Sequence, residues 1–348
     1  MSKIRYGKSS TALVIQKKSF FNENEYHIKK QKKIASIYLQ QPRRLNCKNC
    51  NGKLNSVPDF VKNDIGYTIC NRCSHLNGMH EDTNAFCESV YSTELSKEYA
   101  DNYKSESIDD YNYRTASIYI PKAEFLYTSL IENNYDPNSM QYIDFGAGSG
   151  YFVSALKKIG IDNVKGYEVS KSQVELGNSM IGENILIHHS MADTLEIIRK
   201  TCSQVVSLIG VLEHLQHPHD LLHEIIRNQN VKVIYLSVPT FSLSVFLEIL
   251  TKNVYNRQLC VEHTHLYTEK SLSYLYNEFK LKPISEWWFG TDIVDLYRHM
   301  LTTLDLAECS ETLKDHWKTG FTRLIDSIQL EIDKKKFSSE VHLVLEKI

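Results

Sequence analysis

From position 141 onward the apolar residues fall into short runs separated by stretches of helical period. Runs at 141–145, 163–168, 184–188, 204–209 and 231–238 read as strands. The stretches at 149–159, 171–180, 192–199 and 217–229 read as helices. Regular alternation at this spacing predicts a mostly parallel sheet with helices on both faces. Beyond it, 272–279 reads as a helix, 284–289 as a strand, 293–336 as helical and 340–346 as a last strand. Upstream, 118–131 also has helical spacing of its apolar side chains.

The first 135 residues follow other patterns. Residues 1–44 hold eleven Lys or Arg against only Glu23 and Glu25, and read as a basic arm, helical around 26–39 and otherwise solvated. Residues 45–80 carry two tight cysteine pairs, and 81–135 form a tyrosine-rich helical linker with Tyr91, Tyr99, Tyr103, Tyr111, Tyr113, Tyr119, Tyr127 and Tyr135. The remainder, 136–348, reads as one α/β domain. With 42% hydrophobic and 24% charged residues in 348, the chain can bury a core, and its net charge of −2 excludes a general nucleic-acid binder. The most apolar stretch, 233–250, contains Pro239 and Glu248, so it reads as a buried strand and its sequel rather than a membrane span. The apolar run at 11–15 is too short for a signal peptide. A soluble, cytoplasmic protein is expected.

Candidate chemistry begins where the first strand ends, at Asp144-Phe-Gly-Ala-Gly-Ser-Gly150. Glycines there allow a sharp turn and close approach of a ligand to the backbone, and the helix terminus that follows favours a negatively charged group. Glu168 closes the next strand, where an acid can accept hydrogen bonds from both ribose hydroxyls of a nucleoside. A dinucleotide fingerprint would need a small residue at 151, where Tyr151 stands. The loop is instead similar to that of class I S-adenosylmethionine-dependent methyltransferases. So are Ser190-Met191-Ala192-Asp193 and Ile209-Gly-Val-Leu-Glu-His214 after the third and fourth strands.

This resemblance implies a Rossmann-like seven-stranded sheet ending in an antiparallel hairpin, with 293–336 inserted before the last strand. It also implies the cofactor contacts. Gly146, Ala147, Gly148 and Gly150 would line its methionine end, Asp144 would orient its amino group, and Glu168 would hold its ribose. Val169, Met191 and Ala192 would flank the adenine, with Ile209, Gly210 and Val211 as the floor near the sulfonium.

The cysteine pairs, Cys47 with Cys50 and Cys70 with Cys73, have the C-x2-C-x19-C-x2-C spacing of a zinc ribbon. Some thirty residues with few large apolar side chains need such a crosslink to fold. A structural Zn²⁺ on these four thiolates is expected, without His75 or His80. Cys87, Cys202, Cys260 and Cys309 are scattered, which fits a reducing compartment.

Fourteen histidines complete the inventory. His214, His217, His219 and His223 lack an H-E-x-x-H arrangement and read as solvated or helix-capping. The segment Cys260-Val-Glu-His-Thr-His-Leu-Tyr267 resembles the Glu-His stretch of nucleotide-sugar C-methyltransferases, which also carry an N-terminal four-cysteine zinc domain. In that family an aromatic hydroxyl stands where Cys260 stands here, and the C-terminal domain is larger. The resemblance implies a small-molecule or glycan acceptor, methylated on oxygen or carbon. His263 is then the candidate general base, with Glu262 orienting it, His265 second and His214 next, and the tyrosines of 91–127 form an acceptor wall. A zinc-ribbon RNA methyltransferase is the alternative enzyme, and a non-catalytic cofactor-binding partner protein the alternative of another class.

Overall fold

Eight strands order as β1-β11-β12-β9-β8-β5-β6-β7 in the main sheet of the computed structural model, which describes residues 2–11, 23–91, 107–261 and 263–348. Their ranges are β1 Lys3–Tyr6, β5 Tyr142–Phe145, β6 Val164–Glu168, β7 Leu186–His188, β8 Val205–Ile209, β9 Val233–Pro239, β11 Leu281–Phe289 and β12 Glu340–Lys347. Strands β5 to β9 are parallel, and β12 lies antiparallel between β9 and β11. Every residue of β5 and of β9 is buried, as the unbroken apolar runs of a doubly covered sheet require. Helices Tyr151–Lys158, Lys171–Ile181, Thr194–Lys200 and Pro218–Arg227 occupy the crossovers. The last begins on Pro218, whose missing N–H costs nothing in a first turn, and buries Leu221, Leu222 and Ile225. Strand β5 lies between β6 and β8, so the crossovers leave it toward opposite edges of the sheet, the arrangement that opens a crevice at the carboxyl ends of β5 and β8.

The sheet has one strand more than expected. Residues Lys3–Tyr6 pair parallel with β11, the Arg5 guanidinium lies 4.0 Å from the Trp287 ring centroid, and Trp287 Nε1 donates to Gly7 O at 2.9 Å. Without β1, β11 would present an open edge lined with Trp287, Trp288 and Phe289. Residues Asn24–Tyr38 form the helix expected around 26–39, and it packs one face, burying Gln31, Ile34, Ala35 and Tyr38, while Lys29, Lys32 and Lys33 stay exposed. Gln31 exchanges two hydrogen bonds with the Asn256 backbone.

The cysteine-bearing segment folds as a second, four-stranded sheet ordered β10-β4-β3-β2, with β2 Phe60–Lys62, β3 Ile65–Ile69, β4 Leu76–Gly78 and β10 His265–Leu266. The last of these strands comes from the α/β part, with His265 opposite Asn77, so the two parts of the chain share a sheet. Between β11 and β12 lie the inserted helices Asp292–Leu306, Glu311–Phe321 and Ile325–Lys334. No helix among the described residues is long and apolar enough to cross a membrane.

Among the described residues, the tyrosines expected as an acceptor wall pack against the chain itself. Tyr151 is sandwiched between Tyr111 and Tyr119, with centroids 4.5 and 5.1 Å away, and Tyr111 Oη donates to Ser149 O at 3.0 Å. Tyr127 packs on the core behind the sheet, and Tyr135 Oη donates to Glu346. These rings brace the helix after the glycine loop from behind. Tyr99 and Tyr103 lie outside the described residues.

Candidate active site

The glycine loop turns at the end of β5 with Gly146 at φ 66° and Gly148 at φ 55°, in the region that L side chains avoid. A Cβ on Gly146 would also lie 2.7 Å from Val211 Cγ2, so this glycine lets the loop seat against the segment after β8. Gly148 N–H donates to Glu168 Oε2 at 2.9 Å and Ser170 N–H to Oε1 at 2.8 Å. Each carboxylate oxygen accepts one backbone N–H and keeps capacity for one more bond. Beneath the loop, Asp144 is buried and accepts from Ser207 Oγ at 2.5 Å; burial pushes its carboxyl up to about 7.

The residues expected at a cofactor are distributed along this crevice. Gly146, Met191, Ala192 and Gly210 are exposed, Val169, Gly148, Ile209 and Val211 are half-buried, and Ala147 and Gly150 are buried in the turn. All stand at the carboxyl ends of β5, β6, β7 and β8.

The candidate acid–base residues divide. Glu213, His214 and His263 converge, with one ligand atom of each lying within 4.8 Å of the others. The His214 and His263 rings are 5.1 Å apart, and His214 Nε2 is 3.9 Å from Glu213 Oε1. His263 Nδ1 lies 3.3 Å from Gln258 O, and since a carbonyl only accepts, the proton sits on Nδ1 and the Nε2 lone pair is left for chemistry. His265 faces elsewhere. It is buried, its Nδ1 meets His75 Nε2 at 2.8 Å, and burial holds its pKa well below the usual histidine range. Glu262 lies outside the described residues. Glu213 was not singled out in the sequence, although it stands inside the Val-Leu-Glu-His run. Burial pushes its carboxyl up to about 7 despite the opposing influence of His263.

In the ribbon, Cys47, Cys50, Cys70 and Cys73 are buried and free, with Sγ atoms within 4.8 Å of one another. Cys47 and Cys73 are 3.6 Å apart, Cys50 and Cys70 3.5 Å. Thiolates at ~2.3 Å from a tetrahedral ion lie ~3.8 Å apart, so the donor set fits Zn²⁺. The two knuckles repeat one geometry: Asn51 N–H returns to Cys47 O and Ser74 N–H to Cys70 O, with φ 54° and 62° at Asn51 and Ser74. No histidine belongs to this group.

Residues 120–286 match the family model described as Methyltransferase domain. This stretch is a methyltransferase domain. Its sheet is the Rossmann-like one of class I, S-adenosylmethionine-dependent methyltransferases, here with an additional edge strand. A search of curated proteins finds no match. Similar solved structures include magnesium protoporphyrin IX methyltransferase from Synechocystis PCC 6803, with 9% identity, 76% of this chain and 100% of that one covered, and a TM-score of 0.47. Geranyl diphosphate C-methyltransferase from Streptomyces coelicolor A3(2) has 14% identity, coverage of 66% and 76%, and a TM-score of 0.40. A SAM dependent methyltransferase from Archaeoglobus fulgidus has 14% identity, coverage of 65% and 94%, and a TM-score of 0.36.

Proposed function

We propose that the chain transfers the methyl group of S-adenosylmethionine to an oxygen of a small-molecule acceptor, with a sugar or nucleotide sugar as the leading class. The observation that carries this reading is the continuity of the loops: the glycine loop that bonds Glu168 seats Gly146 against Val211, and two residues on, Glu213 and His214 converge with His263. A bound sulfonium supplies an already electrophilic methyl group, so the protein has to place the acceptor and deal with its proton. We assign acceptor activation to His263, through Nε2. Nucleic acid is disfavoured as acceptor because Arg5 and Lys8, two cations of the basic arm, are turned onto Trp287 and Phe289 of the chain itself. We place the protein in the cytoplasm, where four paired thiols stay reduced. Incubation with labelled cofactor and separate pools of sugars, nucleotide sugars, glycans and RNA tests the assignment; label in RNA alone would refute it.

Two substitutions test the cofactor half of the site. Glu168→Ala should weaken binding of S-adenosylmethionine about ten- to a hundredfold, since hydrogen bonds to a charged acceptor contribute roughly 1.5–3 kcal/mol. Calorimetry giving wild-type affinity would remove Glu168 from the ribose. Asp144→Asn should weaken binding as well, yet raise the melting temperature of the ligand-free protein. The folded carboxyl holds its proton up to about pH 7, whereas the unfolded one loses it near pH 4. Folded protein therefore binds the extra proton in that window, and this group's contribution to stability falls as pH rises through it. The Asn variant should lose that slope, which thermal melts at pH 5 and pH 8 would show.

A further inference from the structure

The Glu213–His214–His263 cluster has features that a lone catalytic base does not require. Glu213 is 3% exposed, and its Oε2 is buried without a hydrogen-bond partner among the described residues. A buried carboxylate is costly unless it is paired or coordinates a metal. Lys48 lies close enough to influence it, but Lys48 and Arg44 both bind Asp82. His263 presents Nε2 because Nδ1 is held by Gln258 O, the second-sphere bond that fixes a metal-ligating imidazole. His214 stands 3.9 Å from the carboxylate, where tetrahedral ligands at ~2.1 Å would lie ~3.4 Å apart, so side-chain shifts of about an ångström close the set.

We infer that these three side chains bind a divalent first-row metal ion, distinct from the zinc of the ribbon, that takes the acceptor oxygen as a further ligand. Two imidazoles and one carboxylate suit Zn²⁺, Co²⁺ or Mn²⁺ rather than the all-oxygen preference of Ca²⁺. Three protein ligands leave coordination positions open, and both histidines are only half-buried. The position is right for the chemistry: a Cβ on Gly210 would lie 3.6 Å from Glu213 Oε1, and Val211 touches the glycine loop. The inference rests on the methyl-transfer reading above and deepens it. His263 then acts as ligand, and the ion lowers the pKa of the acceptor hydroxyl so that its proton leaves to solvent. The acceptor oxygen bonds the methyl carbon as the carbon–sulfur bond breaks, and that electron pair stays on sulfur as S-adenosylhomocysteine. The acceptor class narrows to molecules with a second oxygen that can chelate, such as vicinal diols and hydroxy acids.

Calorimetric titration of full-length, zinc-loaded protein with CoCl₂ tests this, with zinc content measured before and after. Wild type should bind about one Co²⁺ per chain without losing ribbon zinc. Glu213→Gln and His263→Ala should each weaken Co²⁺ at least tenfold while S-adenosylhomocysteine still binds. His263 is half-buried, so its variant carries the test if Glu213→Gln does not fold. No Co²⁺ site in wild type, or unchanged affinity in His263→Ala, overturns the inference. Wild type that binds Co²⁺ but not S-adenosylhomocysteine overturns the methyl-transfer reading instead.

Discussion

His263→Ala is expected to lower turnover by roughly 10²–10⁴ while S-adenosylhomocysteine affinity stays at the wild-type value. The separation follows from where the ring stands. The proposed cofactor contacts are the loop at 146–150 and Glu168, whereas His263 approaches from the segment before β10, against Gln258 and His214. Removing the imidazole deletes one half-buried side chain and leaves the glycine loop, Asp144 and Glu168 with all their bonds. What is lost is the Nε2 lone pair, whether it takes a proton or holds an ion, and either loss falls on the chemical step. The measurement is steady-state kinetics with the acceptor identified from the labelling pools. A raised KM with unchanged kcat would reduce His263 to a binding contact, and wild-type rates would move acceptor activation to His214.

Much of the architecture could be read from residues 141–289. The five parallel strands begin and end within two residues of the runs that announced them, because the central ones, β5, β8 and β9, are covered on both faces and must be nearly continuous in apolar residues. The hairpin of β11 and β12 and the helices between them were equally legible. Three features were not. The β1 strand is four residues of mixed polarity, meaningful only once the Trp287 edge exists to receive it. The helix at Asn24–Tyr38 was expected, but its apolar face is narrow and lies inside a lysine run, so its packing was not. Strand β10 is two residues long and depends on a partner almost 190 positions earlier, which no local pattern reports. The site shows the same division. Cysteine spacing and the glycine loop are local signals, whereas the partnership of Glu213 with His263 exists only after two distant loops meet. The buried His75–His265 pair likewise explains why His265, two positions after a candidate base, belongs to packing.

Loss of the ribbon metal should have the largest effect on the fold. Freshly purified protein should carry about one Zn²⁺ on Cys47, Cys50, Cys70 and Cys73, and Cys50→Ser should abolish it. Among the described residues, the other apolar members of that cluster are Leu54 and Tyr274, so a bound metal would stand where a core would be. Structural zinc contributes roughly 10–16 kcal/mol of apparent binding free energy to such modules, far above what that small cluster supplies. The damage should also travel. Strand β4 pairs with β10, Gly78 N–H donates to Thr264 O at 2.8 Å, and Asn49 Nδ2 donates to Ser271 O at 2.9 Å. These bonds tie the ribbon to the segment that carries His263, while among the described residues no hydrogen bond joins the ribbon to the glycine loop or Glu168. Cys50→Ser, or chelation of the wild type, should therefore cut turnover before it weakens S-adenosylhomocysteine binding. Hydrogen exchange should show 45–80 and 263–271 losing protection together, with β5 and β6 unchanged. Full protection at 263–271 after zinc removal would mean that the ribbon and the acceptor side fold independently.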